Sequence, residues 1–188
     1  MEFFEPKILW TILHLFGVAV GAGGAYLGDA LFFFSARNGV ISVVELSFLK
    51  RTGQFVWVGV MLLAISGIGL FFLDTERYMA SSKFISKMAI VGVIALNGAL
   101  FHRVHFPVLK RLTGVKLVTS KEFRKKSVVI FISGAVSVIS WTCALILGSL
   151  RSLPWNVVHI LSVYSAFLLA GTLGALVFRW YFFRKGLR

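Results

Sequence analysis

A run of 27 residues without Lys or Arg, from 8 to 34, constrains the fold of this chain most. It reads ILWTILHLFGVAVGAGGAYLGDALFFF, and an α-helix of that length, rising about 1.5 Å per residue, crosses the hydrocarbon core of a bilayer. Four further apolar runs follow, at roughly 54–73, 84–106, 127–150 and 155–183. The sequence therefore predicts an all-α integral membrane protein, with residues 1–188 forming a single bundle of five transmembrane helices.

The net charge of +13 does not indicate a nucleic-acid partner, because the Lys and Arg residues lie between the apolar runs. Fifteen of the 20 fall in the first and third loops and at the C-terminal end, and five fall on the other side. Positively charged loops stay in the cytoplasm. We therefore expect the N-terminus outside, the C-terminus in the cytoplasm, and anionic lipid headgroups as partners of the basic side.

Shorter features refine this arrangement. Residues 40–51, VISVVELSFLKR, are amphipathic and are expected to lie along the membrane interface. Pro107 is expected to end the third span, because proline removes a helical hydrogen bond. Small residues let transmembrane helices approach closely. Two stripes of them, in the fourth and fifth spans, therefore predict helix contacts: Ser133, Ser137, Ser140, Ala144 and Gly148, then Ser162, Ala166 and Ala170.

The first span carries one histidine above a series of glycines. His14, Gly17, Gly21, Gly24 and Gly28 are separated by 3, 4, 3 and 4 residues, so they share one helical face. A face with so little side-chain bulk is suited to close contact. Its partner is either another helix or a flat cofactor.

The flat cofactor that this pattern favours is haem b. His14 and His159 lie at similar depth near the outer ends of the first and fifth spans, so they are candidate axial ligands. Gly17 and Gly21 would leave room for the macrocycle, and Lys87 would meet a haem propionate or a lipid phosphate. The alternative for His14 is an interior histidine held by hydrogen bonds.

Five other polar residues occupy the far half of the bundle. Asp29 is the one acid deep in an apolar run, and Asn97 should reach a similar depth. Asp29 with Asn97 or Arg103 would form a structural pair, a cation site or a proton site. His102 and His105, at the end of the third span, are expected to contact lipid headgroups at the interface.

Two segments resemble a known family. LHLFGVAVGAGG (13–24) and KMAIVGVIALNGALFHRVHFPVLKRL (87–112) are similar to spans of the copper-resistance protein D (CopD-type) membrane domain superfamily. HemJ-type protoporphyrinogen oxidases share a similar first-span histidine, and this resemblance implies haem at His14. The chain lacks the methionine clusters of copper transporters. The resemblance covers roughly residues 8–112, and we expect a bacterial inner-membrane location.

Three classes of function follow. The first is a haem-b redox protein that passes electrons to a redox partner, including a subunit of a membrane oxidoreductase. The second is a transporter or channel for a small cation, a metal ion or a proton, centred on Asp29. The third is a structural subunit of a larger membrane complex. The sequence contains no CxxC or HExxH pattern that would indicate another metal chemistry.

Overall fold

The computed structural model describes residues 5–185, and five helices in that range are long and apolar enough to cross a membrane. The predicted all-α fold is therefore confirmed. The segments, in chain order, are α1 (Pro6–Asn38), α2 (Val43–Leu73), α3 (Thr75–Met79), α4 (Ser82–Leu100), a π-helical turn (Phe101–His105), α5 (Phe106–Arg111), α6 (Lys121–Ser149) and α7 (Val157–Lys185). We call the end where α1 stops and α2 starts the basic end, and the opposite one the N-terminal end.

Helix α2 begins earlier than the sequence predicted. Ser42 and Glu45 form a capping box: the Ser42 hydroxyl accepts from the Glu45 N–H at 3.2 Å, and the Glu45 carboxylate accepts from the Ser42 N–H at 2.7 Å. This pair satisfies two backbone donors that a helix start leaves free. The expectation of a separate interfacial segment at 40–51 is therefore wrong, since residues from 43 onward are the first turns of α2 itself.

The most extensive helix contact is between α1 and α2. At their crossing, Gly59 lies against the backbone of Gly21, so close that a side chain at Gly59 would collide with it. Gly17 of α1 faces Leu62 and Leu63 of α2. Small residues at such a crossing let two transmembrane backbones pack directly. The glycine face of α1 therefore has a helix as its partner here.

The two predicted stripes of small residues differ in burial. In the α6 stripe, Ser133, Ser140 and Ala144 are buried in the bundle as expected, Ser137 is half-buried and Gly148 is exposed. Ser162, Ala166 and Ala170 of α7 are exposed on its outer surface, so the contact predicted for them is wrong. Helix α7 is instead turned so that other side chains face α6. Tyr164 is the clearest example, because its hydroxyl is 2.8 Å from the Ser140 hydroxyl.

Apolar packing closes the bundle at the basic end. Two connecting segments meet there through backbone hydrogen bonds of 2.8 Å, from Gly114 N–H to the Ile41 carbonyl and from Leu117 N–H to the Gly39 carbonyl. Beneath them lies a cluster of fully buried side chains: Ile41, Leu49, Leu109, Leu117 and Phe123. The space between the helices on the N-terminal side of this cluster is not filled, and the polar residues of α1 and α4 meet there.

Candidate functional site

A partly open cavity lies between α1, α2, α4, the π-helical turn, α5 and α6. It leaves about 90 Å³ for the centres of water-sized molecules. One water needs roughly 10–15 Å³ by that measure, so several waters or one small ligand fit. Most of its wall is apolar. The polar residues that line it are Asp29, Thr52, Asn97, His102, His105, Ser133 and Ser137.

The π-helical turn places two of these residues. In it the N–H of Phe106 bonds to the carbonyl of Phe101, five residues back. Pro107, in the first turn of α5, has no N–H, and its ring would collide with the carbonyl of Arg103 in a regular α-helix. A wider turn just before the proline relieves that clash, and π-turns often occur at functional sites. Pro107 therefore does not end the third span, contrary to the expectation, and the helical path continues to Arg111.

Four polar atoms on the cavity's side chains are buried without a hydrogen-bond partner among residues 5–185. They are Asp29 Oδ2, His102 Nε2 and both ring nitrogens of His105. Leaving a buried polar atom unpaired costs about 1–3 kcal/mol, and native structures keep few of them. Their collection around one cavity makes it the candidate site, because waters or a ligand inside it could pair with these atoms.

The structure brings Asp29 and Asn97 into the same cavity. Asn97 is held by α6: its amide donates to the Ser133 carbonyl at 3.0 Å and accepts from the Ser133 hydroxyl at 2.7 Å. Gly134, beside Asp29 Oδ1, has no side chain to cover that carboxylate. Asn97 therefore ties α4 to α6, while Asp29 keeps a free oxygen for a ligand.

Arg103, the other predicted partner of Asp29, is not brought to it. Its side chain is exposed, and among the described residues it forms no salt bridge. The structural pair of Asp29 with Arg103 is therefore absent from this arrangement. Asp29 faces the cavity without a cationic side chain of the described chain beside it.

His102 and His105 lie deeper than the sequence indicated. His105 is only 2% exposed, and both histidines line the cavity. The imidazole of His102 packs against α2, where a Cβ built on Gly53 would lie 3.3 Å from Nε2. The expectation that both contact lipid headgroups is wrong, because the π-helical turn and the glycine of α2 admit them to the interior.

His14 belongs to a second polar cluster, nearer the N-terminal end. The hydroxyl of Ser66 donates to the Leu62 carbonyl at 2.6 Å, so its oxygen accepts from His14 Nδ1 at 2.9 Å. His14 Nε2 then carries the lone pair, and Lys87 Nζ donates to it at 3.2 Å. The sequence placed Lys87 near a haem propionate or a lipid phosphate; the structure places it directly on the imidazole.

The residues predicted to hold haem do not fit a macrocycle as they are arranged. Both ring nitrogens of His14 have partners, and Gly17 and Gly21 are covered by α2 and by the Trp141 ring. His159 is exposed, and its Nδ1 lies 2.9 Å from the Asn156 side-chain oxygen. Ligation by Nε2 of His14 would first require Lys87 to leave. Haem at His14 and His159 stays a prediction that these contacts do not favour.

A metal centre has no better support. Within residues 5–185 no group of three or more His, Cys, Asp or Glu side chains is placed to hold a metal ion. Asp29, His102 and His105 share the cavity without converging on one point. Their arrangement suits a ligand that passes between separate groups.

Comparison with known proteins adds no relative, since neither a protein-family model, nor a curated protein, nor a solved structure matches the chain. The resemblance of residues 8–112 to CopD-type and HemJ-type proteins stays a prediction.

Proposed function

We propose that this protein carries protons through the membrane, with Asp29 as the group that binds and releases them. The observation that supports the proposal is the convergence of three protonatable side chains on one cavity: Asp29, His102 and His105, with four buried atoms unpaired within residues 5–185. Ionisable groups are rare inside membrane bundles, and they typically mark ion or proton paths.

A proton explains the chemistry of the site better than a metal ion does. A hard cation such as Na⁺ or Ca²⁺ takes several oxygen ligands at once. Here the Asn97 oxygen already accepts from Ser133, and two of the unpaired groups are imidazoles. Imidazole exchanges protons near neutral pH, a carboxylate oxygen can accept them, and waters in a cavity of this size would link the two kinds of group.

The distribution of Lys and Arg residues indicates how the protein is oriented in the membrane. The basic end, with the loops that contain most of the Lys and Arg residues, faces the cytoplasm in this proposal, and the N-terminus lies outside. Asp29, His102 and His105 then lie in the cytoplasmic half of a bacterial inner-membrane protein. Leu49 and Leu109 line the cavity and belong to the apolar cluster at the basic end. In the proposed orientation this cluster lies between the three groups and the cytoplasm. Proton exit therefore requires that cluster to open.

The test is proton flux in proteoliposomes that contain a pH-sensitive dye. A potassium gradient with valinomycin sets the membrane potential, and the expected result is dye acidification that depends on the purified protein. Asp29→Asn keeps the shape of the side chain but cannot be ionised, so it should remove the flux.

The matched control is Asp74→Asn, which removes an exposed acid that pairs with Arg77 at 3.8 Å. It should leave the flux unchanged. Flux in Asp29→Asn equal to that of the wild type would exclude Asp29 as the carrier group. Equal loss in both variants would point to damage unrelated to the cavity.

A further inference from the structure

Four of the segments that line the cavity each contribute an aromatic side chain. Phe32 comes from α1, Trp57 from α2, Phe101 from the π-helical turn and Trp141 from α6. A path for protons alone needs water and polar groups, and it does not need a wall of aromatic rings. Concave sites lined by aromatic side chains with a few polar groups are typical of organic ligands.

The charges of the wall indicate which organic ligand. Asp29 is its acid, and among the described residues no Lys or Arg lines the cavity, although the whole chain carries a net charge of +13. Aromatic faces attract cations through their π-electrons, and the effect is largest where water is excluded. A negative group inside an aromatic enclosure therefore selects a monovalent organic cation and disfavours an anion.

The unpaired atoms narrow the class further. A primary ammonium group has three N–H donors. Asp29 Oδ2 accepts one of them directly. Because the three side chains do not converge on one point, waters in the cavity connect the remaining donors to the ring nitrogens of His102 and His105, which have no partner within residues 5–185. A quaternary ammonium has no such donor and would leave these atoms unpaired. The cavity has room for about six to nine waters, so the ligand must be a small one.

We propose that the cavity binds a small protonated primary amine, which exchanges with the proton on Asp29. This inference rests on the proposed proton-carrier function and names the substrate class of the same site. In the exchange the Asp29 carboxyl releases its proton as the ammonium forms an ion pair with the carboxylate. One positive charge enters and one leaves, so the charge of the cavity is unchanged.

The test uses the purified full-length chain in detergent, with ethylammonium chloride as the probe. Trp57 and Trp141 line the cavity, so their fluorescence should change with saturation as ethylammonium binds. A weakly buffered sample should release one proton for each ammonium bound. Ethanol, which has the same size without the charge, and tetramethylammonium, which lacks N–H donors, should bind at least about tenfold more weakly.

Substitutions of single residues test whether ethylammonium binds inside the cavity. Asp29→Asn should weaken ethylammonium binding by about tenfold or more, because it removes a charge-assisted hydrogen bond. Trp57→Leu should weaken it about fivefold, and Trp57→Phe, which keeps an aromatic face, should stay within about twofold of the wild type. Trp180→Leu is the matched control, because Trp180 is 57% exposed on α7 and lies outside the cavity.

Two results would overturn this inference: equal binding of ethanol and ethylammonium, or unchanged affinity in Asp29→Asn. Its failure is distinguishable from failure of the proton-carrier proposal. If proton flux depends on Asp29 but ethylammonium does not bind, the proton-carrier proposal stands and the amine proposal is refuted. If ethylammonium binding depends on Asp29 but no proton flux is seen, the amine-binding site stands and the proton-carrier proposal is refuted.

Discussion

The crossing of α1 and α2 makes a quantitative prediction about Gly59. An alanine Cβ at this position would overlap the backbone of Gly21 and lie 2.8 Å from the Gly17 carbonyl oxygen. Backbone atoms cannot move aside as a flexible side chain does, so the two helices must separate. Because this crossing belongs to the most extensive helix contact in the described chain, Gly59→Ala disturbs the main packing of α1.

The magnitude follows from two opposing terms. Overpacking a close contact costs about 1–3 kcal/mol, and the upper part of that range applies where backbone meets backbone. Replacing a helical glycine by alanine returns up to about 1 kcal/mol. The net loss should be about 2 kcal/mol, which is roughly a 30-fold change in the unfolding equilibrium.

Gly67 provides the matched control on the same helix. A Cβ at this position meets nothing within 4 Å, so Gly67→Ala should be neutral or slightly stabilising. The assay is unfolding of each purified variant in mixed micelles with increasing dodecyl sulfate, followed by helical circular dichroism. If Gly59→Ala proved as stable as Gly67→Ala, the close helix crossing would be refuted, and a cofactor slot along the glycine face of α1 would regain support.

Three further predictions follow from individual contacts. Because Ser66 and Lys87 occupy both nitrogens of His14, the protein purified from haem-supplied cells should show no Soret band; a band that disappears in His14→Ala would restore the haem hypothesis. His105→Phe should lower proton flux in liposomes. It should leave the unfolding midpoint unchanged or raised, because it removes a buried imidazole that has no partner among the described residues. A large loss of stability would show a structural role for His105 instead. A dual alkaline phosphatase and green fluorescent protein reporter after Arg188 should fluoresce and lack phosphatase activity, and the opposite pattern would invert the proposed orientation.

The spans were predictable because length and apolar composition alone decide whether a helix can cross a bilayer. Each predicted run coincides with one helical segment, with boundaries that differ by a few residues at most ends. The start of α2 differs most. The Ser42 and Glu45 capping box corresponds to an S-x-x-E pattern in the sequence, which marks a helix start that the amphipathic pattern of residues 40–51 does not locate.

The site was predictable only in part. The residue count along each helix predicted a similar depth for Asp29 and Asn97, and both line the same cavity. Rotation does not follow from it, so the sequence did not reveal that His102 and His105 face the interior. The π-helical turn changes the rotation of the helix just before Pro107, and that proline was the one available signal. The contact of Lys87 with His14 depends on the rotation of two separate helices, which hydropathy does not determine.

The proposed function requires Asp29 to take up and release a proton inside the cavity. Infrared difference spectroscopy measures this directly, because a protonated carboxyl has a carbonyl band that the carboxylate lacks. The measurement uses protein films cycled between acidic and alkaline buffers, and each of the seven Asp and Glu residues contributes to the carboxyl region of the spectrum. We predict one reversible band that is present in the wild type and in Asp74→Asn and absent from Asp29→Asn. A spectrum in which Asp29→Asn retains every reversible carboxyl band of the wild type would contradict the account.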